Sequence, residues 1–158
     1  MIIRKIEKKD NAAVAEIVRS VLLEMRAPKV GTAYADPSVD AMYETYQKPN
    51  AVFYVIESNE KIIGCAGIDR LANGEETICE LQKMYFLPQA RGLGLGAEMI
   101  RLCLDNAKAL GFTKCYLETM PFMKDAQKLY SKTGFYNIAG PLGNTGHNYC
   151  SIWMMKDL

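Results

Sequence analysis

The sequence of 158 residues is poor in features that mark several large classes of protein. It has one histidine and one tryptophan, and no run of 18 apolar residues of the kind that crosses a bilayer. Lys+Arg number 19 and Asp+Glu 18, so the net charge of +1 offers no excess of positive charge for nucleic acids or anionic membranes. We therefore expect neither a nucleic acid nor a membrane as a partner.

The first eleven residues also lack the apolar stretch of a signal peptide, because charged and apolar residues alternate there. We therefore predict a cytoplasmic location. The cysteines are odd in number and widely spaced, lie among apolar neighbours and form no CxxC pair: Cys65, Cys79, Cys103, Cys115 and Cys150. This pattern is typical of reduced thiols in a core. With His147 as the only histidine, we expect no metal site and place that residue on the surface, in a loop that could border a substrate.

What is present predicts one domain over residues 1–158, since 49% of the residues are hydrophobic and 23% are charged. Period-2 and period-3.6 patterns define the elements. They are a strand over 2–7, helices beginning at Asp10 and Asp36, strands over 51–57, 62–68 and 78–87, a helix over 96–110, a strand over 115–120, a helix over 123–133, and strands over 136–139 and 149–156. This order indicates an α+β fold with a mixed, mainly antiparallel sheet.

The most informative segment follows the predicted strand 78–87, where Pro88 ends the strand and Arg91-Gly92-Leu93-Gly94-Leu95-Gly96 leads into a helix. The first amides of a helix lack intrahelical partners and the helix dipole is positive there, so a phosphate can bind. Glycines allow close approach and positive φ angles, and Arg91 adds a charged donor. The segment predicts a phosphate-binding loop rather than a simple turn.

A competing interpretation comes from the same glycines. Gly92, Gly94 and Ala97 satisfy the dinucleotide fingerprint G-x-G-x-x-A, and Glu118 lies about where a ribose-binding acid would be. That fingerprint should leave the opening strand of a parallel βαβ fold, whereas here an antiparallel meander is predicted before it. No GxxxxGK[ST] loop for a nucleoside triphosphate is present.

Two motifs resemble the GNAT superfamily of N-acetyltransferases. The family's pyrophosphate loop, R/Q-x-x-G-x-G/A, matches residues 91–96, and its helix A-x-x-L-Y followed by G-F matches Ala126, Leu129, Tyr130, Gly134 and Phe135. The element order agrees over almost the whole chain. The resemblance implies a GNAT-like twisted sheet flanked by about four helices, acetyl-CoA as co-substrate and transfer of an acetyl group to a primary amine. It also raises the prospect of a homodimer.

The resemblance further implies roles for individual residues. The loop from Arg91 to Gly96, with Leu93 and Leu95, would hold the pyrophosphate. The pantetheine arm would follow Met84, Tyr85 and Phe86, on a strand that in the family carries a bulge and splays from the next strand. Tyr130 would protonate the departing thiolate. One departure stands out, because Met123 replaces an asparagine that contacts the cofactor in many relatives.

The resemblance implies two candidates for the base that takes the amine proton. Several family members place a glutamate four residues before the position of Met84, which is Glu80 here, and other members place theirs on the strand after the helix, which is Glu118 here. Burial among apolar neighbours could raise the pKa of either one, and we favour Glu80. The acceptor, a small-molecule amine or a peptide amine, should be selected by residues 26–36, the second helix and residues 140–149. Tyr34, Tyr43, Tyr46 and Asp36 are candidates for that pocket, although core packing explains the tyrosines equally well. The other functions still open are dinucleotide binding and acyl-CoA binding without transfer.

Overall fold

A computed structural model describes all residues from Met1 to Leu158. The strands are β1 (Ile2–Lys5), β2 (Val52–Ser58), β3 (Lys61–Arg70), β4 (Ile78–Phe86), β5 (Lys114–Thr119), β6 (Tyr136–Ile138) and β7 (Ile152–Asp157). The helices are α1 (Asn11–Glu24), α2 (Met42–Thr45), α3 (Leu95–Ala109) and α4 (Lys124–Lys132). The strands form one sheet in the order β1-β2-β3-β4-β5-β7-β6. Only β4 and β5 are parallel, so the predicted α+β fold with a mainly antiparallel sheet is confirmed.

Helix α1 forms where apolar residues recur at helical spacing, and its buried face carries Val14, Ile17, Val18, Val21 and Leu22. The predicted N-cap, Asp10, does not accept a hydrogen bond from the helix. Its carboxylate instead accepts from the Glu7 amide at 2.8 Å and pairs with the Arg4 guanidinium at 2.8 Å. Asp10 therefore fastens the start of α1 to β1.

The second predicted helix is only partly α-helical. Pro37 opens a 3-10 turn, Pro37–Ala41, and the α-helix α2 that follows has four residues. Val39, Met42 and Tyr46 are buried, as the periodicity indicates. The segment is thus a compact cover over one face of the sheet rather than a regular helix.

A tight hairpin joins β2 and β3 through Asn59 and Glu60, whose φ angles of 49° and 62° are those of a type I′ turn. This geometry matches the right-handed twist of the flanking strands. Strand β4 pairs with the other edge of β3, so β2, β3 and β4 form the predicted antiparallel meander.

Helix α3 connects the parallel strands β4 and β5, and it ends before Gly111, whose φ of 91° is the predicted left-handed C-terminal position. Helix α4 likewise ends before Gly134, with φ of 97°. These two helices pack on one face of the sheet in a cluster that includes Met99, Cys103 and Tyr130. Helix α1 and the 37–46 segment cover the other face.

Four of the five cysteines are fully buried, as predicted, whereas Cys150 is half-buried in the loop before β7. None of the helices is both long and apolar enough to cross a membrane.

Candidate active site

A cleft opens in the sheet where β4 and β5 separate. The two strands are paired only at Ile78, Cys79 and Glu80 of β4, opposite residues 114–116 of β5. Beyond this point β4 runs on to Phe86 without pairing to β5, while β5 remains paired with β7. The facing edges therefore keep backbone groups free of sheet hydrogen bonds, and Glu80 lies at the closed end of the cleft.

A bulge distorts β4 beside this cleft. Gly67 of β3 pairs with Gln82, but the next pair is Cys65 with Tyr85, so Ala66 faces two residues of β4. Lys83 lies in the bulge with φ of 53°, a conformation uncommon for a non-glycine residue. A bulge redirects side chains and interrupts the ladder next to many active sites. The bulge and the splayed strands that the resemblance implied are both present.

The three residues after the bulge alternate between the two faces of the sheet. Met84 and Phe86 pack against the α3 and α4 side, and Tyr85 packs against the α1 side. Burial raises the pKa of Tyr85 well above its usual value. These residues thus form a firm wall beside the unpaired edge of β4.

The predicted phosphate-binding loop has free amides. Arg91 donates its amide to the Pro88 carbonyl at 3.1 Å, and the next amide with a backbone partner is that of Glu98, which donates to Gly94 at 3.2 Å. The amides from Gly92 to Ala97 are therefore available at the N-terminus of α3, where the helix dipole favours an anion.

Glycine is required at the three loop positions for different structural reasons. Gly92 and Gly94 have φ angles of 72° and 78°, which an L side chain rarely adopts, and a Cβ at either position would meet no other atom within 4 Å. A Cβ on Gly96 would instead lie 2.7 Å from Leu129 of α4. Gly96 therefore permits close contact between α3 and α4, while Gly92 and Gly94 shape the loop.

The Arg91 guanidinium is engaged with protein groups. Its two terminal nitrogens each lie 2.8 Å from an oxygen of Glu24, and its Nε donates to the Phe86 carbonyl at 2.9 Å. Arg91 thus ties the loop to the end of α1. These contacts use three of the five N–H donors of the guanidinium, so two remain for its predicted role as an anion donor.

Tyr130 lies on α4 and is 7% exposed. Its ring packs edge-on against Phe135, with centroids 6.1 Å apart. Burial, with a smaller effect of the nearby Cys150 thiol, raises the pKa of Tyr130 to about 12, so the phenol keeps its proton at neutral pH. Before α4, the Met123 sulfur accepts a hydrogen bond from Thr119 at 3.6 Å.

Glu80 is a carboxylic group with little solvent, since the residue is 5% exposed. Gln82 donates from Nε2 to Glu80 Oε2 at 2.7 Å, and Tyr46 in turn donates its hydroxyl to Gln82. Burial is the main cause that raises the pKa of Glu80 to about 7, with the Gln82 hydrogen bond acting in the opposite direction. A carboxyl group with this pKa can accept a proton near neutral pH.

Glu118 lies in the same pocket but its two oxygens are already bound. Oε1 accepts from the Tyr116 hydroxyl at 2.8 Å, and Oε2 accepts from the Thr145 hydroxyl at 2.9 Å. Thr145 belongs to the loop before β7, so Glu118 also fastens that loop to β5. These two hydrogen bonds hold the carboxyl group of Glu118 in place.

A third carboxylate, Asp36, lies between the side chains of Lys83 and His147. Lys83 Nζ and His147 Nε2 are 2.7 Å and 2.8 Å from the same oxygen, Asp36 Oδ2. Burial alone would raise the pKa of Asp36, but the His147 hydrogen bond and the Lys83 charge outweigh it and lower the pKa to about 2. Asp36 thus joins the bulge of β4 to the loop before β7.

The side chains of Glu80 and Glu118 line one pocket of about 50 Å³. Its walls come from residues 32–33, from β4, from the end of β5 and from the loop before β7, and its polar members include Glu80, Gln82, Lys83, Glu118 and His147. The loops 26–36 and 140–149 meet directly, since Tyr149 donates its amide to Gly31 at 3.1 Å. Two of the three segments expected to select the acceptor are therefore brought together.

Two pocket residues differ from their predicted places. His147 was expected on the surface, in a loop that could border the substrate; its side chain is only 15% exposed, and it does border the pocket. Cys150 was expected in the core and instead lines the same pocket. Of the four candidates for the acceptor pocket, Asp36 contacts it through Lys83 and His147 and Tyr46 through Gln82, whereas Tyr34 and Tyr43 pack against the α1 side of the core. No periodicity or motif marks such residues, because they meet only in the folded chain.

The dinucleotide interpretation fails on topology. It requires the glycines directly after the first strand of a parallel sheet, whereas they follow the fourth strand of a sheet with one parallel pair. Glu118, its expected ribose ligand, is held by Tyr116 and Thr145 in the pocket.

The chain is similar in sequence to several acetyltransferases. It is 40% identical over 159 residues to the uncharacterized N-acetyltransferase YjgM of Escherichia coli, with 99% of this chain and 95% of the relative covered. It is also 31% identical over 115 residues to the IAA acetyltransferase of Azospirillum brasilense, with 73% of each chain covered.

Solved structures share the fold. An acetyltransferase of the GNAT family from Staphylococcus aureus superposes with a TM-score of 0.88 at 20% identity, covering 99% of this chain and 98% of the other. YncA, a putative acetyltransferase from Salmonella typhimurium solved with its cofactor acetyl-CoA, superposes with a TM-score of 0.80 at 22% identity, covering 99% and 93%.

The model of the acetyltransferase (GNAT) family matches residues 19–135. This match spans the loop and helix motifs that carried the resemblance, and it agrees with the similarity to YjgM along nearly the whole chain. The prediction of an N-acetyltransferase is therefore confirmed, and the chain belongs to the acetyltransferase (GNAT) family.

Proposed function

We propose that the protein transfers the acetyl group of acetyl-CoA to a primary amine by direct attack, with Glu80 as the general base and Tyr130 as the general acid. The observation that carries this proposal is the position of Glu80, a buried carboxyl with a pKa of about 7 at the closed end of the cleft between β4 and β5. A base in that place would face the thioester and the amine together.

The coenzyme would bind mainly to backbone groups. The free amides from Gly92 to Ala97 suit the pyrophosphate, and the unpaired edge of β4 beyond the bulge suits the amides of the pantetheine arm. An amide of this edge, freed by the bulge at Lys83, would hold the thioester oxygen as its charge grows. The acetyl-CoA bound to the Salmonella neighbour, which has the same fold, supports this assignment.

The amine would lose its proton to Glu80, either directly or through one water. Its nitrogen would then attack the thioester carbon, and the carbon–sulfur bond would break as the amide forms. Glu80 suits this step because its pKa matches neutral pH, where a general base works best. Glu118, held by Tyr116 and Thr145, would attract the ammonium form of the acceptor.

The departing thiolate would take its proton from the Tyr130 hydroxyl. Burial raises the pKa of Tyr130 to about 12, so the phenol carries its proton at neutral pH and would donate it to the sulfur as the carbon–sulfur bond breaks. The phenolate would then be reprotonated from solvent, while Glu80 releases the proton that it accepted.

The acceptor pocket favours a cation. Acidic groups outnumber the lysine, since Glu80 and Glu118 line the pocket and Asp36 pairs with Lys83 beside it, and the volume of about 50 Å³ admits only the amino end of an acceptor. We therefore propose a primary amine, on a small molecule or a peptide, whose remainder lies against the loops 26–36 and 140–149.

The test is release of free thiol from acetyl-CoA with a panel of small amines, peptide N-termini and lysine peptides. We expect turnover with at least one class, and Tyr130→Phe to lower kcat by about 100-fold with little change in KM for acetyl-CoA. Tyr136→Phe is the matched control, because the hydroxyl of Tyr136 only contacts Asp157 at the surface.

Two results would contradict the proposal. Coenzyme A binding without turnover on any amine would support a non-catalytic acyl-CoA-binding module. A Tyr130→Phe rate equal to that of the wild type at every pH would remove the phenol from the reaction.

A further inference from the structure

Three side chains of the acceptor pocket, Glu118, His147 and Cys150, are of the types that bind metal ions. One ligand atom each from Glu118, His147 and Cys150 lies within 4.8 Å of the other two. All three residues are half-buried, which distinguishes them from acidic groups scattered on a surface. No metal site was expected from the sequence, because its lone histidine and its scattered cysteines match no ligand motif.

We infer that Glu118, His147 and Cys150 bind one Zn²⁺ ion, which closes the acceptor pocket and inhibits the enzyme reversibly. The inhibitory part of this inference rests on the proposed function of the pocket, whereas the metal site itself does not. A carboxylate, an imidazole and a thiolate are ligands that Zn²⁺ accepts together, and Mg²⁺ or Ca²⁺ would not select sulfur and nitrogen.

The local backbone brings two of the ligands to one side. The Cys150 amide donates to the His147 carbonyl at 3.0 Å, so the two residues occupy the ends of one turn. Tetrahedral zinc would need its ligand atoms about 3.3–3.6 Å apart. The observed group therefore requires side-chain adjustments of about an ångström, within a loop where Gly143 and Gly146 adopt positive φ angles.

The surroundings of the ligands match those of metal sites. His147 Nε2 is held by Asp36 at 2.8 Å, which leaves Nδ1 as the nitrogen for a metal. Imidazoles that bind zinc commonly place their other nitrogen on a carboxylate in this way. The Glu118 oxygens are likewise oriented by Tyr116 and Thr145.

Space and charge are also suitable. The pocket of about 50 Å³ can hold an ion with a water in the fourth position. Acidic groups also outnumber the lysine here, since Glu80 and Glu118 line the pocket and Asp36 pairs with Lys83 beside it, which favours a dication. Because the ion would use Glu118 and adjoin Glu80, it would compete with the amine and leave the coenzyme loop free.

Binding is tested without turnover. We expect CoCl₂ to give the intense thiolate-to-cobalt absorption band at one equivalent, and ZnCl₂ to abolish it. Cys150→Ser should remove the band, while His147→Ala and Asp36→Asn should weaken binding of Zn²⁺ by at least about tenfold, as measured against a chromophoric chelator.

Cys103→Ala is the matched control. The Cys103 thiol lies in the α3 core beside Cys79 and Cys115, the other place where thiols gather. It should leave the cobalt band and zinc affinity unchanged. Absence of the band in the wild type, its survival in Cys150→Ser, or its loss in Cys103→Ala would each overturn the metal site.

Inhibition is tested separately with an amine that supports turnover. We expect Zn²⁺ to raise the KM for the amine without changing the KM for acetyl-CoA, and a chelator to restore the rate. Zinc that binds at Cys150 but leaves the rate unchanged would refute the inhibitory role. A protein with no active amine, yet with the cobalt band, would contradict the proposed function while supporting the metal site.

Discussion

The side of the cleft proposed to bind the coenzyme (the coenzyme side) and the side proposed to bind the acceptor (the acceptor side) are built in different ways. The coenzyme side consists largely of backbone: free amides between Gly92 and Ala97, and the unpaired edge of β4 after the bulge at Lys83. The acceptor side consists of side chains from distant segments, such as Asp36, Lys83 and His147, joined by charged hydrogen bonds. A ligand shared by many proteins can be held by backbone, whereas an individual acceptor needs side chains.

This difference predicts where substitutions act. On the coenzyme side, a change matters when it alters φ, helix packing or the charge near the amides. On the acceptor side, it matters when it leaves a buried charge without a partner or shifts the pKa of Glu80. The following changes test the contrast, from the largest expected effect to the smallest.

Glu80→Gln should stabilise the fold more at high pH than at low pH. The folded state raises the pKa of Glu80 from 4.5 to about 7, so it holds a proton that the unfolded chain loses above about pH 4.5. Wild-type stability therefore falls between these two values, and a neutral glutamine avoids this loss. We expect the variant to gain about 2–3 kcal/mol relative to wild type between pH 5 and pH 8 in denaturant unfolding.

Glu16→Gln is the matched control. It removes a carboxyl group from the exposed face of α1 and so measures the effect on stability of losing one negative charge at the surface. The prediction is contradicted if the difference in unfolding free energy between Glu80→Gln and wild type is the same at pH 5 and pH 8. Burial would then not raise the pKa of Glu80, and the proposed base would lack its main support.

Gly94→Asp should weaken coenzyme A binding by about 30-fold, since it adds a negative charge where the pyrophosphate would contact free amides. Gly111→Asp is the matched control, because both glycines flank α3, have positive φ and leave open space for a Cβ. Calorimetric titration with coenzyme A should give wild-type affinity for the control. Equal losses in the two variants would mean that strain, and not an anion site, explains the effect.

Glu24→Gln should have the smallest effect. It releases Arg91 from its bidentate partner, and such an exposed ion pair contributes about 0–1 kcal/mol to stability. If Arg91 also serves the pyrophosphate, removal of the competing carboxylate should tighten coenzyme A binding about threefold, while Arg91→Ala should weaken it. Weaker binding in both variants would show that Arg91 acts only by tying the loop to α1.

The same contrast explains how much the sequence could predict. The strands, the helices and the predicted phosphate-binding loop follow from local patterns. Alternation of apolar residues predicts a strand, helical periodicity predicts a helix, and the glycines of residues 92–96 indicate positive φ angles or a close approach of the backbone. Glu80 came from the family resemblance, which places a glutamate at this strand position in several relatives, and its role as the base stays a prediction. The bounds of α2 were missed, since a 3-10 turn after Pro37 has nearly the same apolar spacing as an α-helix.

The acceptor side was less predictable for a physical reason. His147 and Cys150 belong to an irregular loop, and their position depends on Tyr149 binding Gly31 and on Thr145 binding Glu118. These contacts link residues far apart in the sequence and leave no periodic trace. The bidentate pairing of Arg91 with Glu24, 67 positions away, was missed for the same reason.

The central claim is that Glu80 takes the amine proton, and the pH dependence of kcat/KM tests it most directly. Wild type and Glu118→Gln should show a rate that rises with pH through an apparent pKa of about 7, the value that burial gives Glu80. Glu80→Gln should lower kcat/KM at pH 8 by about 100-fold or more and lose that inflection. An inflection near pH 7 that survives in Glu80→Gln and disappears in Glu118→Gln would assign the proton to Glu118 and contradict the account.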